Sequence, residues 1–169
     1  VGDEISCTAT PNDSYDDGTP QSSSITIPNS LPEIFSVEIE PNLDVEADAG
    51  LTCYVDAYDV DDGLLLGQYE WLDGNGNSAG VGDTLQLNPT SNRPDDEITC
   101  IARVTDNNAA QTEYQTSITI INTEPIVDQS ATITSNPSPI SNSTLSCSAL
   151  FSDLNDGVLT PSYTWALAN

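Results

Sequence analysis

The sequence predicts an all-β protein built from antiparallel β-sandwich modules. Short segments alternate apolar and polar residues with a period of two, which is the pattern of half-buried strands. Asp-Gly, Gly-Asn and Asn-Pro pairs, which favour turns, separate these segments. No window of helical length has a period of 3.6. Short strands at regular spacing with turn signals between them are typical of a sandwich.

Six strands are expected in the middle of the chain. They cover residues 35–40, 51–58, 68–72, 84–87, 97–104 and 114–121. Alternation places one face of the second and fifth strands towards a core. These inward residues are Leu51, Cys53, Val55 and Ala57, and Ile98, Cys100, Ala102 and Val104.

The charge balance excludes several classes of partner. The 169 residues contain 27 Asp and Glu against two basic residues, Arg93 and Arg103, for a net charge of -25. Two arginines cannot neutralise the phosphates that a nucleic acid or an anionic membrane presents. No stretch approaches the roughly 20 apolar residues of a membrane span. Only 17% of residues are charged and 37% are hydrophobic, which is a folded composition and not a disordered one.

The same composition argues against an enzyme. The chain has no His, so the Ser-His and Cys-His nucleophile arrangements and most zinc sites are excluded. Its carboxylates fall in predicted surface turns, whereas a catalytic carboxylate needs a cleft and a raised pKa.

The four cysteines reveal an internal repeat. Cys7 and Cys100 are 93 residues apart and share the context Asp-Glu-Ile-Ser/Thr-Cys, while Cys53 and Cys147 are 94 apart and share Leu-Thr/Ser-Cys. Other landmarks keep this offset. Residues 24–27 recur at 117–120, residues 59–63 at 153–157, and Trp71 at Trp165. Self-similarity at a fixed period is the signature of a repeat array.

The repeat divides the chain into one complete and two partial modules. Residues 29–122 form the complete module, residues 1–28 match only its last two strands, and residues 123–169 match only its first three. Partial modules expose open sheet edges and half a core. We expect them to be completed in one of two ways. Either neighbouring molecules pair head to tail by donor-strand complementation, or further repeats of a longer chain complete them.

The order Cys53, Trp71, Cys100 matches an immunoglobulin-type sandwich. In that fold a cysteine of the second strand bonds one of the sixth, and a tryptophan of the third packs against the bridge. We therefore expect a Cys53–Cys100 disulfide, and by the repeat Cys7 and Cys147 would bond between subunits or to a repeat outside this sequence. The alternatives are free buried thiols or a metal site, and the absence of His and of a CxxC pair disfavours metal. A disulfide indicates an extracellular or cell-surface location.

The chain resembles the tandem immunoglobulin-like and PKD/cadherin-like modules of large bacterial surface proteins. The resembling motifs are the Asn-Thr-x-Pro junction (122–125), the Asp-x-Asp-Asp-Gly loop (59–63), the Tyr-x-Trp strand (69–71) and the Asp-Glu-Ile-Thr-Cys strand (96–100). The tyrosine found two residues before the second cysteine of antibody domains is replaced by Ile98 and Ile5. The resemblance implies a modular architecture and no particular activity.

The acidic loops form a candidate calcium site. Asp59, Asp61 and Asp62 follow the second strand, and Asp106 lies in a loop expected at the same pole of the module. Carboxylates facing each other across a module junction would attract a cation such as Ca²⁺. The alternative is that they are ordinary turn residues. Residues 73–77 also resemble a calcium loop but lack its spacing, so we predict a hairpin turn there.

Two further features concern glycans. Asn12 and Asn142 match the Asn-x-Ser/Thr acceptor pattern, and we list them as candidate glycosylation sites. Trp71 and Trp165 recur beside the cysteines, so we interpret both as core residues and not as sugar-binding platforms.

The sequence thus favours an extracellular structural protein without catalytic activity. Its immunoglobulin-like repeats would assemble head to tail with copies of themselves into a filament, stalk or matrix, with cations at the junctions. The alternative is a surface adhesin that binds a ligand at the end of a monomeric stalk of such modules.

Overall fold

The computed structural model describes residues 1–136 and 138–167, and within them the chain is all-β. These ranges contain thirteen strands. They contain no helix, and therefore no helix that could span a membrane. The strands are β1 (Glu4–Ala9), β2 (Gln21–Thr26), β3 (Glu33–Glu40), β4 (Gly50–Asp59), β5 (Gly63–Leu64), β6 (Gly67–Leu72), β7 (Ser78–Val81), β8 (Thr84–Gln86), β9 (Glu97–Thr105), β10 (Gln111–Thr119), β11 (Ile126–Asn136), β12 (Thr144–Asp153) and β13 (Gly157–Leu159).

The middle of the chain forms two antiparallel sheets that share a core. One sheet has the order β10-β9-β6-β7, and the other has the order β3-β4-β5 with β8 also paired to β4. Buried side chains from both sheets and from the segments that connect their strands form one cluster, which is the main source of stability because burying apolar surface drives folding. Its members are Val37, Ile39, Val45, Ala47, Leu51, Cys53, Trp71, Leu87, Ile98, Cys100, Ala102, Ile118 and Ile120.

A disulfide joins the two sheets at the centre of this core. Cys53 of β4 is bonded to Cys100 of β9, which confirms the predicted pair. Trp71 of β6 lies opposite Cys100 in the sheet and is fully buried. Its indole N–H donates to the carbonyl of Gly82 at 2.9 Å, so the buried polar atom is satisfied.

Alternation predicts the inward faces well where strands are regular. All four inward residues predicted in β9 are fully buried. In β4, Val55 is only half-buried, whereas the other three are buried. The pattern fails in β3, where a register shift between Ile34 and Ser36 leaves Phe35 59% exposed. A β-bulge of this kind inserts one residue and reverses the alternation.

The flanking parts form separate sheets. Strands β1 and β2 form a two-stranded sheet, and β11, β12 and β13 form a three-stranded sheet. Their pairing repeats that of the middle region: Cys7 lies opposite Ser23 as Cys100 lies opposite Thr116. Ile133 likewise lies opposite Cys147, as Ile39 lies opposite Cys53. The repeat in the sequence is therefore also a repeat in strand register.

The predicted module boundaries fall between strands. The first lies between β2 and β3, and the second lies between β10 and β11. The division into one complete and two partial modules stays a prediction. Residues 168–169, at the end of the third predicted domain, lie outside the described residues.

Candidate functional site

Hydrogen bonds hold Asn29 and Ser30, in the linker between β2 and β3, to the loops that follow β4 and β9. The Asn29 amide donates to Asp106 Oδ2 at 2.6 Å, and the Asn108 amide donates to Asn29 Oδ1 at 2.7 Å. The next residue, Ser30, donates its backbone N–H to Asp61 Oδ2 at 2.8 Å. Hydrogen bonds from side-chain amides and a backbone N–H group therefore hold this linker in place.

The loop after β4 is folded by its own first aspartate. Asp59 Oδ1 accepts the backbone N–H groups of Asp61 and Asp62 at 2.7 and 3.1 Å, and Gly63 closes the turn at a φ of 82°. Only glycine adopts such an angle at no steric cost. Asp59 is 1% exposed, and its Oδ2 is buried without a hydrogen-bond partner.

The loop between β9 and β10 is folded in a similar way. Asp106 Oδ1 accepts the backbone N–H groups of Asn108 and Ala110 at 2.9 and 2.7 Å. The two loops touch directly, since Asn107 donates its backbone and side-chain N–H groups to Asp62 at 2.9 and 2.7 Å. The structure therefore brings the four predicted aspartates to one pole of the middle region.

Hydrogen bonding lowers the pKa of Asp106 below its usual value of 3.8. The largest cause is the Asn29 amide, and the backbone N–H groups of Ala110 and Asn108 act in the same direction, whereas desolvation opposes them. Donors that point at a carboxylate favour its charged form. The charge of Asp106 is thus part of what holds the junction.

The calcium prediction gains no support from this geometry. In the part of the chain that the structure describes, no group of three or more His, Cys, Asp or Glu side chains is arranged to hold a metal ion. The carboxylates of Asp61, Asp62 and Asp106 accept hydrogen bonds from neighbouring amides and N–H groups. Calcium binding by these residues stays a prediction, which calorimetric titration with millimolar Ca²⁺ would test.

Arg93 lies at the second junction. It donates a short hydrogen bond to the carbonyl of Asn155 in the loop after β12, and its guanidinium is 4.0 Å from Asp156. Thr123 of the linker donates to Asn155 Oδ1 at 3.3 Å. One of the two cations of the chain is therefore placed between two acidic parts. Sequence reasoning missed this role, although the position of Arg93 beside the acidic 95–97 run was a usable signal.

Acidic side chains also lie near this second junction. A surface hollow there is lined by Glu46 and Asp48 of the middle region and by Asp153 of the loop that follows β12. Asp153 matches Asp59 in the repeat and folds its loop identically, accepting the N–H groups of Asn155 and Asp156.

The segment 73–77 is a hairpin turn, as predicted. It connects the paired strands β6 and β7. Asp73 Oδ1 accepts the backbone N–H groups of Asn75 and Asn77 at 2.9 and 2.8 Å, and Gly76 has a φ of 80°. The Asn77 side chain and backbone N–H groups lower the pKa of Asp73 by stabilising its charged form.

The candidate glycosylation sites are both exposed. Asn12 lies between β1 and β2, where its amide donates to Asp17 Oδ1 at 2.7 Å. Asn142 lies in the turn between β11 and β12. Glycosylation of either residue stays a prediction.

The remaining cysteines are unbonded within this chain. Cys7 is exposed and Cys147 is partly exposed, whereas their counterparts Cys100 and Cys53 are buried and bonded. A bond between Cys7 and Cys147 of different molecules stays a prediction.

The flanking parts of the chain expose apolar residues whose counterparts in the middle region are buried. Ile5 is 57% exposed where Ile98 is 0% exposed, and Trp165 is 55% exposed where Trp71 is 0% exposed. The interpretation of Trp165 as a core residue therefore does not hold within this single chain, because no second sheet covers it. The exposed apolar residues at repeat positions of the core are Ile5, Ile25, Ile27, Ile133, Leu145 and Trp165.

The comparisons with known proteins add no relative. The sequence matches no family model, and neither a curated protein nor a solved structure matches the chain significantly.

Proposed function

We propose that this protein is an extracellular structural protein whose immunoglobulin-like modules assemble head to tail into a filament, stalk or matrix. In this proposal the N-terminal strand pair of one molecule completes the C-terminal sheet of the next. The proposed role is mechanical, and it depends on disulfide-bonded modules that are joined by short hydrogen-bonded junctions.

The immunoglobulin-like assignment rests on the middle region. Two antiparallel sheets face each other, a disulfide links β4 to β9 across them, and the buried Trp71 lies beside the bridge. That combination is typical of immunoglobulin-like sandwiches. The proposed extracellular location follows from the disulfide, because the cytosol keeps such thiols reduced.

The assembly proposal rests on two exposed apolar faces, one on each flanking sheet. The N-terminal sheet exposes Ile5 and Ile25, and the C-terminal sheet exposes Ile133 and Leu145. Contiguous exposed apolar surface marks interaction sites, and open strand edges recruit further strands. Since one set matches β9 and β10 and the other matches β3 and β4, each is the complement of the other.

When identical molecules bind head to tail through two different surfaces, the assembly is a ring if the rotation between copies closes and a fibre if it does not. In this proposal the two flanking sheets of one molecule join two different neighbours. We therefore propose a linear assembly.

Negative-stain microscopy and sedimentation velocity test this proposal together. We expect unbranched fibres whose length grows with protein concentration. Ile25→Asp, which puts a charge on the apolar face of β2, should abolish them. Ser22→Asp adds the same charge on the opposite face of β2 and should leave fibres intact. Dispersed single rods at all concentrations would overturn the proposal and favour a monomeric adhesin stalk.

A further inference from the structure

Resting on the head-to-tail assembly proposed above, we propose a specific pairing between two copies. Residues 161–166 of one copy become a strand by pairing antiparallel with β1 of the next copy, with Trp165 opposite Cys7. That pairing brings Cys7 of one copy to Cys147 of the other, and a disulfide between them links the copies covalently.

The middle region provides the template for this register. Strand β6 pairs antiparallel with β9 along its whole length, and Trp71 lies opposite Cys100. Residues 161–166 lie 94 positions after β6, and β1 lies 93 positions before β9. Within the chain, 161–166 forms no strand and β1 pairs only with β2. Each element thus lacks the partner that its counterpart has.

Side-chain substitutions between the repeats support the same placement. A Cβ added to Gly67, the first residue of β6, would lie 2.5 Å from Val55 Cγ1 and 2.8 Å from Tyr69 Cζ. At the positions that match Gly67 and Val55 the C-terminal part has Pro161 and Ala149, so the larger residue at the first position is accompanied by a smaller one at the second, while Tyr69 is retained as Tyr163. Paired substitutions of this kind are expected if 161–166 occupies the site that β6 occupies.

The proposed pairing between 161–166 and β1 also ends at residues that cannot extend it. In the middle region Gly67 lies opposite Val104, and the repeat puts Pro161 opposite Pro11. Neither proline has an N–H to donate, so pairing begins at the next residues. From there Tyr163 lies opposite Ala9, as Tyr69 lies opposite Ala102.

The apolar surfaces of the two elements complement each other. Trp165 is 55% exposed and Cys147 is partly exposed on one side, while Ile5 and Cys7 are exposed on the other. All four match members of the buried core, in which Trp71, Cys53, Ile98 and Cys100 pack together. The contact would bury the indole of Trp165 and place the Cys7 and Cys147 thiols as Cys100 and Cys53 are placed in their disulfide.

Formation of the link is an oxidation. The Cys7 and Cys147 thiols together lose two protons and two electrons, and an S–S bond forms between their sulfur atoms. A low-molecular-weight disulfide such as oxidised glutathione accepts the two electrons and is reduced to two thiols.

Two single-cysteine variants give a direct test. Cys7→Ser retains Cys147, and Cys147→Ser retains Cys7. In a glutathione redox buffer, each variant alone should run as a monomer on a non-reducing gel, whereas their mixture should give a covalent dimer and nothing larger. The unaltered protein should give a ladder that collapses on reduction. Circular dichroism checks that both variants keep the strand content of the parent.

Several outcomes would overturn the proposal. A dimer formed by either variant alone would mean pairing between identical cysteines. A link between Cys7 and Cys147 within one chain, seen as an oxidised monomer by peptide mapping, would exclude the intermolecular contact. Unprotected amides at 162–166 in assembled protein, measured by hydrogen exchange, would exclude the strand.

Microscopy of the same samples separates this inference from the assembly proposal. Fibres without a Cys7–Cys147 peptide would leave the assembly standing and refute the register. The absence of both fibres and covalent species would refute both proposals.

Discussion

Trp71 and Trp165 occupy matching positions 94 residues apart, yet the first is fully buried and the second is 55% exposed. The difference does not come from the local sequence, since Tyr precedes each Trp by two residues. The difference comes from the surroundings: Trp71 is in β6 and packs in the buried core beside a disulfide, whereas Trp165 lies outside any strand of the described chain and is not covered by a sheet.

This contrast predicts unequal effects of the same substitution. Trp71→Ala should lower the free energy of unfolding by about 3–5 kcal/mol, because it removes a large core side chain and leaves a cavity. Trp165→Ala should change it by less than about 0.5 kcal/mol in unassembled protein, as an exposed position does. Urea denaturation in a Cys7→Ser background measures both. Equal losses at the two sites would contradict the assignment of the core.

Removing the Cys53–Cys100 disulfide should destabilise the middle region strongly. The bond closes a loop with a sequence separation of 47 residues, for which the loop-entropy model gives about 4 kcal/mol. The double variant Cys53→Ala/Cys100→Ala should show this loss in denaturant. The matched control is Cys7→Ala/Cys147→Ala, which we expect to leave the unassembled protein unchanged. If both doubles unfold at the same urea concentration, the bond contributes nothing measurable.

The sequence predicts the regular strands because burial imposes a period of two on their side chains. It predicts the buried face of β9 correctly, and the Cys53–Cys100 pair follows from the recognised order of Cys, Trp and Cys. It does not predict the bulge that turns Phe35 outward, because a bulge is fixed by pairing with another strand and not by the residue itself. The short strands β5 and β7 are also missed, because β5 has only two residues and Gly80 interrupts the apolar–polar alternation of β7.

The candidate site is predictable only in part. Turn chemistry places Asp59 and Asp106 in loops, and the order of strands brings these loops to one pole. The long-range hydrogen-bond partners of the carboxylates are not predictable from local pattern, because Asn29 lies 77 residues from Asp106 in the sequence. Arg93 reaches Asn155 over 62 residues, which only the folded chain shows.

Arg93 should hold the C-terminal sheet against the middle region. Replacing it by Gln removes the charge and the contact with Asn155, so the loop 153–157 should exchange its amide hydrogens faster. Arg103 forms an ion pair with Glu113 within one sheet at 2.9 Å. Arg103→Gln is therefore the control, and we expect it to cost under about 1 kcal/mol and to leave the loop unchanged. Hydrogen exchange read by mass spectrometry compares the two variants, and unchanged exchange in Arg93→Gln would exclude the role.

Asp106 should make the stability of the N-terminal junction depend on pH. Its pKa is lowered in the folded protein, chiefly by the Asn29 amide, so folding favours the charged form. The stabilisation is therefore complete above the usual value of 3.8 and is lost as the pH falls through the lower folded value. In Asp106→Asn the side-chain oxygen can still accept the backbone N–H groups of Asn108 and Ala110, but an NH2 group, which cannot accept, then faces the Asn29 amide, so this hydrogen bond is lost at neutral pH. We expect the variant to be less stable than the parent near neutrality and the difference to shrink on acidification.

Thermal unfolding followed by circular dichroism between neutral and strongly acidic pH measures this convergence. Asp13 and Asp73 also have lowered pKa values and contribute a common acid dependence to every variant, so the informative quantity is the difference from the parent at each pH. Asp56→Asn is the matched control, because Asp56 is exposed on β4 and the same charge is removed there. Its difference from the parent should stay small across the range. A constant deficit for Asp106→Asn at all pH values would show that the lost contact is not linked to the charge of the carboxylate.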